Sequence, residues 1–158
     1  MASALKNLSE YNSDKLIDAS GKRFGLIVAE WNKEITDALC KGAYDTLIKH
    51  GALPQNIHRN TVPGSYELPL GAQFLASSQE IDAVICLGVV IKGDTKHDDY
   101  INHAVAKGLI DVSLKFNKPV VFGVVTTNDL QQALDRAGGK HGNKGVEAAV
   151  AAIHMLSF

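Results

Sequence analysis

Two kinds of chemistry meet in one short stretch of this chain. Gly93, Asp94 and Thr95 supply a polar turn, and His97 follows after a single lysine. The turn closes an apolar run from Ala83 to Ile91 that reads as a buried strand. It opens a segment in which Tyr100, Ala104, Leu109 and Val112 recur near one helical face. A strand, a turn and a helix start form the arrangement at which open α/β sheets bind ligands, beyond the carboxyl ends of their strands. Unpaired N–H groups and the positive dipole end of a helix suit a phosphate. Histidine exchanges protons near neutral pH. An anion site and a proton carrier therefore share one turn.

The elements that must position this turn alternate along the chain. Phe24–Ala29 reads as the first strand. A helix capped by Asn32 runs to about His50, with Ile35, Leu39, Ala43 and Leu47 at core spacing and Gly51 closing it. Ile57–Val62 is a weaker strand ending at the turn pair Pro63-Gly64, and Leu68–Ala76 is a short helix. Ala83–Ile91 is the third strand, followed by the helix from about His97 to Phe116, and the fourth strand runs from Pro119 to Val125. Leu130–Ala137 makes a helical turn or two, Gly138–Asn143 breaks it, and Val146–Met155 is a final alanine-rich helix. Strands separated by helices predict a three-layer α/β/α sandwich on a four-stranded parallel, flavodoxin-like sheet with right-handed crossovers. The carboxyl ends of its strands would bring Trp31, the Ser65-Tyr66-Glu67 segment, the His97 turn and the segment after Phe122 to one rim.

Composition narrows the function classes. At 158 residues and 46% hydrophobic, the chain suits one domain with a sizeable core, expected over residues 21–158. Residues 1–20, polar with isolated leucines, are expected to form a flexible arm. A formal net charge of -1 leaves no basic footprint for nucleic acid and no polybasic membrane patch. No apolar run approaches the ~20 residues needed to span a bilayer. The first residues also lack the pattern of a signal peptide, so the expected location is cytoplasmic. Cys40 and Cys86 lack metal-ligand spacing and read as reduced core thiols, and nothing pairs the six histidines into a metal site.

The stretches Pro63–Pro69, Gly88–His97, Pro119–Thr127 and Arg136–Gly145 resemble, in order and spacing, the motifs of the 6,7-dimethyl-8-ribityllumazine synthase family. The resemblance runs from about Gly21 to Leu156. It implies condensation of 5-amino-6-ribitylaminouracil with 3,4-dihydroxy-2-butanone 4-phosphate, the penultimate step of riboflavin biosynthesis, with no metal or redox cofactor. It implies that Trp31 stacks on the pyrimidine, where a flat heterocycle gains area burial and ring attraction. It gives Ser65, Tyr66 and Glu67 to the ribityl chain and the backbone of Val89, Val90 and Ile91 to the uracil edge. Phe122 would line the far side of the pocket. Asp94, through its main chain, and Thr95 match the phosphate turn, and Arg136 matches a phosphate clamp whose planar fork suits phosphate oxygens. Lys144 would add charge or a ribityl contact, and His97 would carry the protons.

Each residue also has a structural reading. Alone, His97 is a cap or surface residue, Trp31 a packing residue, Glu67 a first-turn carboxylate favoured by the dipole and Arg136 a solvated helix-end charge. One position departs from the family pattern. An aromatic often follows the histidine there, whereas here Asp98 gives a second acidic neighbour beside Asp99. Carboxylates favour the imidazolium form, and the helix terminus opposes it. The resemblance further implies pentamers in which Trp31, Ser65 and His97 of one subunit face Phe122 and Arg136 of the next. The short Gly138–Asn143 link is similar to that of members forming sixty-subunit shells, which can enclose a riboflavin synthase. The rival reading is a catalytically silent flavin- or pterin-binding or shell-forming paralogue, against which His97 and Arg136 both stand.

Overall fold

The chain's structure, a computed structural model, describes residues 7–158; the first six residues of the arm expected at 1–20 lie outside that range. Four parallel strands, β1 (Phe24–Ala29), β2 (Ile57–Val62), β3 (Ala83–Ile91) and β4 (Val120–Thr127), form one sheet in the order β2-β1-β3-β4. The helices are α1 (Lys33–Lys49), α2 (Leu68–Ala76), α3 (His97–Phe116), α4 (Leu130–Arg136) and α5 (Lys144–Met155). Side-chain alternation assigns the layers. Phe24, Leu26 and Val28 of β1 and Ile85, Leu87 and Val89 of β3 join a core with α1, α4 and α5. Ile27, Val84, Cys86 and Val90 face the opposite core with α2 and α3. The two central strands are covered on both sides, which is why each reads as an unbroken apolar run. Edge strand β2 carries His58, Arg59, Asn60 and Thr61, all exposed, and charge on an edge discourages further pairing. The α/β sandwich expected from the sequence is the fold observed.

Two close approaches require glycine. A Cβ on Gly145 would collide with the Leu39 carbonyl oxygen, so glycine there lets α5 lie against α1. Ala148, Ala149 and Ala152 extend that small-residue contact, and all three are buried. Gly88 leaves room for Ser65, whose Oγ would lie 2.6 Å from an added Cβ. A bulkier residue at either position forces packed backbone or side chains apart, a cost typically of ~1–3 kcal/mol.

Three local features differ from expectation. Asn32 does not cap α1 with its side chain. It sits in the left-handed region (φ 59°), and its carbonyl oxygen accepts from the N–H groups of Ile35 and Thr36. The β4 strand continues to Thr127, since its register pairs Val89, Val90 and Ile91 with Val125, Thr126 and Thr127. The glycine-rich break contains an antiparallel pair, β5 (Ala137–Gly139) and β6 (Gly142–Asn143), turned by Gly138 and Gly142 at φ 115° and 80°. The last helix accordingly starts at Lys144, where the Asn143 side chain accepts from the Gly145 N–H (2.8 Å) and donates to the Ala38 carbonyl (2.9 Å). The arm's described part is tied to this region. The Leu8 N–H donates to the His141 carbonyl, the Ala19 N–H to the His50 carbonyl, and the Asn143 N–H to Ser9 Oγ.

Candidate active site

Beyond the carboxyl ends of β1, β2 and β3 lies a cavity of about 630 Å³, within the range that holds a small-molecule ligand. Its first wall is the loop after β1. The Glu30 and Trp31 N–H groups donate to the Val62 and Pro63 carbonyls, which fixes that loop on the end of β2 and leaves the Trp31 ring 73% exposed. A flat exposed ring on an anchored backbone offers a stacking surface to a ligand.

The second wall is the single 3-10 turn Ser65–Glu67. Ser65 is buried, and its hydroxyl donates to the Val89 carbonyl (3.2 Å), which ties the turn to the end of β3. Glu67 turns back so that its Oε2 accepts from the Gly64 N–H (2.9 Å), filling a donor that the turn would otherwise leave unpaired. Its carboxylate keeps its other oxygen for a ligand. Tyr66 stands exposed on the same wall. The floor is Val89, Val90 and Ile91, buried or half-buried at the strand end.

The third wall is the turn from Gly93 into α3. The His97 N–H donates weakly to Thr95 Oγ1 (3.4 Å), which leaves the threonine hydroxyl proton free to donate. The His97 ring is exposed at the first residue of α3, facing the cavity with Thr95 and Gly93. Asp94 is exposed and lies outside the cavity lining. The cavity therefore gathers Trp31, Ser65, Tyr66, Glu67, Val89, Val90, Ile91, Thr95 and His97. It adds Asn32, Pro63, Gly64, Gly93, Asp98 and Ile101, none of which was expected to bind a ligand through its side chain. Ile101 had a legible signal, since it stands one helical turn after His97.

Besides Asp94, three expected residues stand outside this lining. Phe122 pairs with Cys86, three residues before Val89 on the neighbouring strand, so it is ~10 Å short of the rim. It lines a second cavity of about 300 Å³ with Lys144, Glu147, His154 and the arm residues Leu8, Glu10 and Tyr11. There Lys144 Nζ lies 2.8 Å from Glu147 Oε1, a pair largely shielded from solvent. Arg136 ends α4, half-buried, and its guanidinium donates to the Gln132 carbonyl (3.0 Å). Within one chain, β4's register and the α4–α5 connection thus keep Phe122, Lys144 and Arg136 apart from the cavity that holds Trp31, Ser65 and His97. Burial raises both thiols, Cys40 modestly and the fully buried Cys86 far above the ordinary range, so neither is a ready nucleophile.

Comparison with known proteins gives one result throughout. Residues 21–158 match the family profile described as 6,7-dimethyl-8-ribityllumazine synthase. The chain is 57% identical over 157 residues to the 6,7-dimethyl-8-ribityllumazine synthase of Cytophaga hutchinsonii, covering 99% of this chain and 98% of that protein. It is 52% identical to the synthase of Parabacteroides distasonis, covering 100% and 99% of the two chains. With that of Aquifex aeolicus it shares 48% identity over 142 residues, 90% of this chain and 92% of the relative.

Proposed function

The chain belongs to the 6,7-dimethyl-8-ribityllumazine synthase family and has lumazine synthase activity in riboflavin biosynthesis, and from that premise we propose how its residues divide the reaction. The pyrimidine stacks on Trp31, with its edge read by the backbone of Val89–Ile91 and its ribityl chain along Ser65, Tyr66 and Glu67. The butanone phosphate places its phosphate at the turn of Asp94 and Thr95, on main-chain N–H groups and the Thr95 hydroxyl, with Arg136 as a clamp. The ring amine attacks the ketone carbon to give a carbinolamine, which loses water to form an imine. Phosphate then leaves by elimination to give an enol that tautomerises to a ketone, and the ribityl-bearing nitrogen adds to that ketone and expels a second water to close the ring. His97, exposed at the cavity wall, takes and returns the protons of these steps. Holding both substrates in one cavity replaces a bimolecular encounter, which supplies much of the acceleration.

The observation that carries this reading is the single cavity joining an anchored aromatic, a hydroxyl-and-carboxylate turn, a strand end and a histidine. Phe122, Lys144 and Arg136 enter the reading through a second copy of the chain. A pentamer that sets the cavity wall of one subunit against the β4 and α4–α5 side of the next completes the site, and the β5–β6 link suits further assembly into a shell. The test is to mix purified protein with both substrates and follow the absorbance and fluorescence of the lumazine product, alongside its mass in solution. Product formed by a pentamer or larger species is expected. A monomer with full activity would overturn the shared site, and binding without product would make the chain a silent binder.

A further inference from the structure

We propose that Asp98 is a substrate-binding residue that accepts a hydrogen bond from a hydroxyl of the polyol chain. Besides Tyr66, the cavity wall holds three ionisable side chains, Glu67, His97 and Asp98. Glu67 is engaged by the Gly64 N–H. Asp98 is half-buried in the lining and has no hydrogen bond or ion pair among the described residues. A carboxylate withdrawn from water without a partner costs free energy, and it is satisfied when a ligand brings the donor.

The candidates for that donor can be separated. His97 is adjacent on the same helix, and neighbouring helical residues do not face one another. Phosphate is excluded by like charge. In the reading above the neighbouring copy's Arg136 is taken by phosphate, Lys144 is held by Glu147 and the pyrimidine edge is taken by β3, which leaves the hydroxyls of the other substrate. Asp98 and Ile101 are three residues apart and form one row on α3, and both line the cavity. The turn Ser65–Glu67 packs against α3. In the reading proposed above, on which this inference rests, the ribityl hydroxyls run along that turn, in the cavity that this row lines. Asp98 adds an acceptor to those that Glu67 and Tyr66 offer in the same cavity.

The experiment compares two pyrimidines by titration calorimetry on the purified assembly, one bearing the ribitylamino group and one bearing methylamino in its place. Asp98→Ala is expected to weaken the ribityl compound about tenfold, the loss of one charge-assisted hydrogen bond, and to leave the methylamino compound within about twofold. Asp98→Asn keeps a neutral acceptor in the same volume, and its loss is expected to be about threefold. The KM for the butanone phosphate should move less than about twofold in both variants. Equal losses for the two pyrimidines would make Asp98 a packing residue and overturn the inference. Unchanged binding of both, or a loss confined to the phosphate substrate, would also overturn it. Failure of the parent protein to form product is a separate result: it removes the reaction, and the two pyrimidines still report on Asp98.

Discussion

The two cavities differ in what builds them. The larger sits at the strand ends, and its walls are short loops pinned to neighbouring strands by named bonds, such as Trp31 N–H to Pro63 and Ser65 Oγ to Val89. The smaller lies against edge strand β4 and α5, and part of its wall is the arm, through Leu8, Glu10 and Tyr11. The first has an exposed aromatic and an exposed histidine. The second has a half-buried phenylalanine and a lysine already paired with Glu147. One region is arranged to receive a ligand. The other also has an exposed histidine, His154, but it stands late in α5 and not beside a turn such as Gly93–Thr95. The difference teaches what the proposed shared site requires: each region would supply half of it, and two copies would bring the halves together.

The sharpest way to break this comparison is to remove the guanidinium, which belongs to neither cavity of its own chain. Arg136→Ala should lower kcat/KM by about a hundredfold or more, mainly through KM for the phosphate substrate, since a forked charge-assisted contact is lost. Unchanged KM for that substrate would move the phosphate site away from Arg136. His97→Ala, on the first cavity's wall, should lower kcat by about a hundredfold or less and leave both KM values nearly constant, as expected for loss of proton transfer alone. Mixing these two inactivated variants, dissociated and reassembled together, should restore about a quarter of parental activity, the share of contacts that pair an intact His97 with an intact Arg136. No recovery would place both residues in a site within one chain.

Parts of this arrangement were legible from residue order and others were not. β1 and β3 declared themselves because a strand covered on both faces is apolar throughout, and His97 at the start of α3 followed from the helical spacing after it. The Gly138–Asn143 segment reads as a helix stop in sequence, and positive φ at Gly138 and Gly142 serves a stop and a hairpin equally well. The height of Phe122 was not legible, because it depends on the register of β4 against β3, a tertiary fact that a one-dimensional pattern does not contain. Asn32 has the residue type of a side-chain cap, but the chain takes the left-handed turn needed to aim Trp31 outward and caps through its carbonyl instead. Asp98 was visible as an odd residue beside the histidine, and only the cavity gave it a direction.

The smallest expected effect separates the regions by the arm. His50 Nε2 lies 3.0 Å from the Tyr11 hydroxyl, Lys49 Nζ lies 3.3 Å from the same oxygen, and the Ala19 N–H donates to the His50 carbonyl. Burial first, and the Lys49 charge second, hold His50 below its ordinary value of 6.5. The folded arm thus favours neutral imidazole, and the unfolded chain binds more protons between the two values. Stability is full above 6.5 and declines as pH falls from there through the folded value. Acidification from about pH 7.5 to about 5.5 should therefore lower hydrogen-exchange protection at Leu8 and Ala19 by a modest factor. The Trp31 amide, bonded to Pro63 in the other cavity, should keep its protection. His50→Phe keeps a ring beside Tyr11 without a titrating nitrogen and should abolish the pH dependence. If Trp31 loosens in step with Leu8, or if His50→Phe responds to acid as the parent does, the arm is not held separately by this histidine, and the two cavities do not differ in the way their walls imply.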